Sequence, residues 1–293
     1  MTIVDRVAGA PISWGVCEAP DWGHELPPEL VLRQMRELGL RATELGPTGY
    51  LGESPAGVRA LLGQHGLRLL GGFLPVPMHA PTAADLAGAR AAMATLAAAG
   101  SEVVVLAARS TDGSYDRKVR LDDTEWGTLL STLDELRGMA RDAGLTPTLH
   151  PHVGTAIEDR ASVLRLLADS DILLCLDTGH LLIGGMQPLE LLGLAAGRIA
   201  HVHLKDVRTA VASAVSAGGT SYLGAVRAGL YAPLGDGDLD IAGIVGALEA
   251  AGYRGWYVLE QDAALYGPPA PDGGPVLDVR RSLDFLRAKV PAR

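Results

Sequence analysis

The chain is poor in cysteine and aromatic rings, and it has no long apolar run and no basic stripe. Each shortage excludes something. Its two cysteines, Cys17 and Cys175, share no repeated spacing. They therefore read as two reduced thiols, one inside the core, and not as a disulfide frame or a structural zinc knuckle. No apolar stretch approaches the ~20 residues needed to span a bilayer, and Met1 to Val7 is short and mixed in charge, unlike a secretion signal. A cytoplasmic location without a membrane partner is expected. The formal net charge is −9, and the one dense basic pair, Arg280 and Arg281, suits a helix surface. Nothing offers the basic stripe that a nucleic acid requires. Aromatic residues are only 4% of the chain while hydrophobic residues are 48%. Disorder is thereby excluded, and the core must come from close packing of Ala, Gly and Leu against one another.

What is present is a regular alternation of short apolar runs and longer helical patterns. Strands are predicted over 8–14, 42–45, 67–74, 102–107, 146–150, 172–177, 199–205 and 255–260. Helices are predicted over 29–38, 56–64, 83–99, 124–143, 157–167, 188–195, 241–251 and 279–287, several of them stopped by glycine. Eight such repeats in 293 residues, with no break in composition, predict a single-domain (β/α)₈ barrel spanning 1–293. A doubly wound sheet would carry a glycine-rich phosphate turn after its first strand, and Ser13 to Glu18 has none. Between the seventh strand and the next helix lies an insertion over 208–238, rich in Ala, Gly and Tyr, that reads as a lid. Its Gly235-Asp236-Gly237-Asp238 lacks the spacing of a calcium loop and reads as a turn.

Polar residues gather at the carboxyl ends of the strands, where barrel enzymes build their sites. Side chains two residues apart on a strand point the same way. Asp177 thus follows Leu173 and Cys175 on one face, and His201, His203 and Lys205 share another. Glu260 follows Trp256 and Val258, and His150 and His152 flank Pro151, which makes the strand exit irregular. Asp177 also suits a helix cap. Imidazoles and carboxylates at four neighbouring strand ends suit Mn²⁺, Co²⁺, Fe²⁺ or Zn²⁺. Glu44, which ends the second strand, reads as a contact for a substrate hydroxyl or as a loop cap. Trp14 reads as a wall for a sugar ring or as barrel filling.

These residues resemble the xylose isomerase-like barrel superfamily of sugar isomerases, epimerases and dehydratases. The resemblance runs from Pro11-Ile12-Ser13-Trp14-Gly15 to Trp256-Tyr257-Val258-Leu259-Glu260. The segments His150-Pro151-His152-Val153-Gly154-Thr155, Leu176-Asp177-Thr178-Gly179-His180 and His201-Val202-His203-Leu204-Lys205-Asp206 look most like the inosose dehydratase branch. In the superfamily pattern Glu, Asp, His and Glu from strands five to eight hold a metal. Asp177, His203 and Glu260 match the last three, and His150 stands where the first Glu would be. The resemblance therefore implies His150, Asp177, His203 and Glu260 as metal ligands, with Mn²⁺ or Co²⁺ the expected ion and Mg²⁺, Fe²⁺ or Zn²⁺ compatible. Glu260, His150, His152 and Lys205 are the candidate catalytic residues, and Trp14, Glu44, His180 and Tyr222 the candidate substrate contacts.

The departure at His150 counts against an epimerase that exchanges protons between two ligating carboxylates, and it fits a dehydratase. The expected activity is metal-dependent removal of water from a cyclic polyhydroxy ketone of the inosose type, through an enolate. The alternatives are a keto-sugar isomerase or epimerase and, from another class, a catalytically silent sugar-binding barrel. The acidic charge and small ligand set count against the multi-zinc DNA-repair endonucleases that share the barrel. A small sugar or cyclitol ketone is the expected partner. The roles of acid and base, the choice between His150 and His152 as ligand, and a homo-oligomer all stay open.

Overall fold

In the computed structural model, which describes residues 3–270 and 273–290, the alternating runs close on themselves. The barrel strands are β1 (Val7–Gly9), β2 (Ala42–Glu44), β3 (Arg68–Val76), β4 (Val103–Ala108), β5 (Thr146–Leu149), β6 (Leu173–Asp177) and β7 (Ile199–Leu204). A short antiparallel pair follows, β8 (Asp206–Val207) with β9 (Tyr231–Ala232), and β10 (Tyr257–Leu259) is the eighth barrel strand. All barrel pairings are parallel, in the closed order β1-β10-β7-β6-β5-β4-β3-β2. The chain is therefore a single-domain (β/α)₈ barrel. None of its described helices is long and apolar enough to cross a membrane.

Strand alternation divides the barrel wall into two surfaces. Leu106, Leu174, Leu176, Val202 and Leu204 face outward and join the helices in one continuous core. Ala8, Ala42 and Val258 form a small inner cluster, and Val103, Val105 and Cys175 form another. Small inner side chains explain how a chain with so few rings fills its lumen, and they leave room at one end for polar groups. Cys175 is buried in that lumen, and neither it nor the half-buried Cys17 forms a disulfide.

The surrounding helices are α1 (Pro28–Glu37), α2 (Pro55–Gln64), α3 (Ala83–Ala99), α4 (Asp123–Asp142), α5 (Arg160–Asp169), α6 (Thr178–Ile183) and α7 (Pro188–Ala195). After them come α8 (Thr209–Ser216), α9 (Tyr222–Arg227), α10 (Ile241–Ala250) and α11 (Pro275–Lys289). Local chemistry sets their ends. Thr82 with Asp85 and Asp122 with Glu125 form reciprocal capping boxes that start α3 and α4. Gly100 ends α3 at φ +93°, a left-handed turn that glycine enters without steric cost. Arg280 and Arg281 lie exposed on α11.

Some element bounds differ from the sequence expectation. The first strand stops at Gly9, because Pro11 has no N–H to donate and opens a 3₁₀ turn over Pro11–Trp14. The helix expected from 157 begins at Arg160, since the Asp159 carboxylate accepts from Ser162 N–H and fixes the cap there. α6 is an addition, a six-residue helix capped by Asp177.

The insertion over 208–238 holds α8, α9 and β9. Its return into α10 is organised by one buried carboxylate. Asp206 accepts backbone N–H groups from Val207 at 2.9 Å, Gly235 at 2.8 Å, Gly237 at 3.1 Å and Leu239 at 3.0 Å. The Gly235 to Asp238 segment is thus a turn wrapped around Asp206. Replacing the carboxylate orphans all four donors, so Asp206→Ala is expected to lower stability by about 3 kcal/mol, measured by urea unfolding of variant and parent. A loss under about 0.5 kcal/mol, within the range of an ordinary surface substitution, would mean that the turn holds without it.

Candidate metal centre

Four ligand-type side chains meet at the carboxyl end of the barrel. Asp177 closes β6, His203 sits in β7 opposite it in register, and His150 and Glu260 directly follow β5 and β10. Each offers an atom within 4.8 Å of the others. His203 Nδ1 lies 2.8 Å from Glu260 Oε2 and 3.6 Å from Asp177 Oδ2, and His150 Nε2 lies 3.6 Å from the same Asp177 oxygen. These separations suit four donors around one ion at about 2.0–2.3 Å each.

The hydrogen bonding has a gap at the same point. Asp177 Oδ1 accepts from Gly179 and His180 N–H, both at 2.8 Å, and so caps α6. Asp177 Oδ2 and His203 Nδ1 are buried and make no directed hydrogen bond. Buried polar atoms without a hydrogen-bond partner are costly, and a divalent cation would satisfy both. The site therefore fits a metal. Two imidazoles with two carboxylates suit borderline ions such as Zn²⁺, Mn²⁺, Co²⁺ or Fe²⁺.

Beside this cluster lies a cavity of about 550 Å³, lined by His150, His152, Lys205, Glu260 and Asp262. Glu44, Phe73, Tyr115 and Tyr222 add further walls. Lys205 Nζ is buried and donates to Asp262 Oδ1 at 2.5 Å, with Glu260 Oε2 at 3.1 Å and His180 Nε2 at 3.2 Å. Burial disfavours charge on Lys205, but Asp262, Glu260 and Asp177 outweigh it and hold its pKa well above the usual lysine value. Burial likewise raises the Glu260 carboxyl, yet His203 and Lys205 reverse the effect and hold it below the usual carboxylate range. Burial also disfavours charge on His203, but Cys175, Glu260 and Glu44 hold its pKa up, and the other imidazoles differ. Burial first, then neighbouring His203 and His152, pushes His150 well below the usual value. Burial and Lys205 lower His152, and burial and His152 lower His180. One end of the barrel thus holds neutral imidazoles beside a charged lysine, the separation that acid–base chemistry needs.

Of the residues read from the sequence, His150, His152, Lys205, Glu260, Glu44 and Tyr222 line the cavity, while Asp177 and His203 lie behind its wall. Two substrate contacts move. Trp14 is fully buried in the core, donating from Nε1 to Gln34 Oε1 at 2.8 Å, because the 3₁₀ turn carries its ring away from the lumen. His180 is fully buried behind the cavity and packs on His152 with ring centroids 3.7 Å apart, since the Asp177 cap winds it into α6. Asp262 was missed, although it continues the two-residue alternation from Val258 through Glu260. Tyr115 was also missed: it comes from an irregular loop with no periodic signal. It reaches the cavity because Gly154, at φ +75°, lets the two loops meet where a Cβ would lie 2.4 Å from Tyr115 Cα.

The tyrosines link the insertion to this machinery. Tyr222 OH donates to Asp262 Oδ2 at 2.7 Å and lies 2.7 Å from Tyr231 OH, so Asp262 joins the insertion to Lys205.

Comparison with known proteins gives this geometry its context. The xylose isomerase-like TIM barrel family matches residues 32–289. An inosose dehydratase of Geobacillus thermodenitrificans (strain NG80-2) is 32% identical over 272 residues, covering 88% of this chain and 91% of that protein. The rhizopine catabolism protein MocC of Rhizobium meliloti is 32% identical over 267 residues, covering 88% of this chain and 81% of that one. The solved structure of the IOLI protein with a bound zinc atom is 14% identical and superposes with a TM-score of 0.71, over 97% of this chain and 98% of that one. The chain belongs to the xylose isomerase-like TIM barrel family.

Proposed function

We propose that this protein is a metal-dependent dehydratase that removes water from an uncharged cyclic polyhydroxy ketone, inosose being the favoured substrate. The observation that carries the reading is the meeting, on one cavity wall, of His150, His152 and Lys205 beside a four-ligand cluster in which His150 stands in place of a second Glu. An epimerase of this family's two-carboxylate type would present a second ligating Glu where His150 stands. Relatives named inosose dehydratase, at 32% identity over most of the chain, support the same class. The cavity supports an uncharged substrate: among its described lining side chains Lys205 is the one Lys or Arg, and it is already paired with Asp262 and Glu260.

His150, Asp177, His203 and Glu260 would hold the ion. When bound, a divalent ion supplies a Lewis acid that draws electron density from the ketone and favours loss of the adjacent proton. His152 donates from Nδ1 to the Val153 carbonyl at 2.7 Å, which leaves Nε2 unprotonated and fit to take that proton. Lys205 then gives a proton to the departing β-hydroxyl. The C–H and C–O bonds break, a C=C bond forms, and water leaves. Glu260, held between His203 and Lys205, fixes the position of the lysine.

The insertion over 208–238 acts as a lid. Tyr222 and Tyr231 from it close over Lys205 and Asp262, and closure keeps bulk water from the enolate.

Three outcomes follow. Incubated with inosose in deuterated water, the metal-loaded protein should lose one water per substrate by mass, and Lys205→Met should slow this about 10²–10⁴-fold while retaining its metal. Epimerised, deuterated ketose without water loss would sink the reading and favour the epimerase. A chelator should abolish turnover, with Mn²⁺ or Co²⁺ restoring it, and His203→Ala should lose bound metal; full metal content in that variant by elemental analysis would refute the ligand assignment. Limited proteolysis should cut within 208–238 in the free protein and slow with saturating inosose, whereas equal cutting in both states would count against a lid.

A further inference from the structure

We infer that Glu44 is a positioning residue that reaches across the barrel lumen to fix the orientation and tautomer of His203, presenting Nδ1 to the metal. This rests on the proposed metal centre, though on no particular substrate. The sequence suggested that Glu44 would bind a substrate hydroxyl or cap a loop. Its surroundings assign it different work.

Glu44 ends β2, which is three strands away from β7 around the closed barrel. It is 3% exposed, and one of its oxygens, Oε1, lies 2.7 Å from His201 Nε2 and 3.1 Å from His203 Nε2. An ionised carboxylate only accepts, so both Nε2 atoms carry the hydrogen. Metal ligation requires the neutral imidazole, whose second nitrogen then holds the lone pair. For His203 that nitrogen is Nδ1, which faces Asp177 Oδ2 and Glu260 Oε2 and makes no directed hydrogen bond. Glu44 thus dictates which nitrogen can bind metal, and the bond holds the ring plane as well.

The backbone is arranged for this contact. The pairing of β2 with β3 slips between Thr43 and Glu44, which face Leu69 and Gly71, so that Leu70 is the extra residue. Such an irregularity re-aims a side chain at a strand end. His201 is the second clamp. It sits one layer deeper, opposite Cys175, and anchors the same oxygen that holds His203. A carboxylate that serves only a substrate hydroxyl needs neither histidine.

The test uses Zn²⁺, which is diamagnetic, and no sugar. In ¹⁵N-histidine-labelled, zinc-loaded protein, His203 should show a protonated Nε2 and a metal-bound Nδ1. Glu44→Leu should weaken zinc binding about 10–100-fold, the effect typical of losing an outer partner of a ligating histidine, measured by competition with a chromophoric chelator. Glu44→Gln keeps the accepting oxygen and should recover most of that affinity. Zinc held through His203 Nε2, or an unchanged affinity in Glu44→Leu, would overturn the inference. Should Glu44→Leu fail to fold, the parent spectrum and Glu44→Gln still decide: a Gln variant as weak as a chelated-out site would deny the hydrogen-bond role. Failure of the parent itself to take up zinc would instead refute the metal centre on which this rests.

Discussion

Burial of opposite charges at the open end of the lumen is the constraint on which the rest of this structure depends. Lys205 and His203 sit among Asp177, Glu260, Glu44 and Asp262, all nearly out of water. A lone charge there would cost several kcal/mol. The cluster is tolerable only because the groups come from different strands and meet with good geometry. The strand register, the closed barrel and the small inner side chains below exist in the form that permits this meeting. Neutral His150, His152 and His180 complete the wall, since burial disfavours charge on each of them.

The same constraint reaches into the insertion. Asp206, the residue after Lys205, turns away from the cluster and gathers four N–H groups from the returning chain. Asp262, two residues past Glu260, receives the Tyr222 hydroxyl. Lys205 and Asp206, neighbours in sequence, thus face the buried cluster and the returning insertion respectively. The insertion is fastened at its base by one carboxylate and at its tip by another.

Much of this was legible in the sequence, for identifiable reasons. Alternation at strand ends is a short-range rule, so Asp177, His203, Lys205 and Glu260 could be assigned to one end of the barrel without knowledge of the fold. The rule extends to Asp262, where it was applied too briefly. It gives way where the backbone leaves the extended form: Pro11 ends β1 early and takes Trp14 into the core, and the Asp177 cap winds His180 into α6 and off the cavity wall. Tyr115 carries no periodic signal at all. Its place depends on Gly154, in a loop that is distant in sequence. The partnership of Glu44 with His201 and His203 spans more than 150 residues and appears only when the barrel closes.

Asp177 has one further consequence. One of its oxygens begins a helix while the other completes the cluster, so a single short side chain bridges two demands of fixed spacing. Lengthening it to glutamate, a chemically mild exchange, would add one methylene and push either the cap or the cluster out of place by ~1.5 Å, about one C–C bond. Any exchange at this position must therefore keep both spacings at once. At Asp177 the backbone itself sets the design limit.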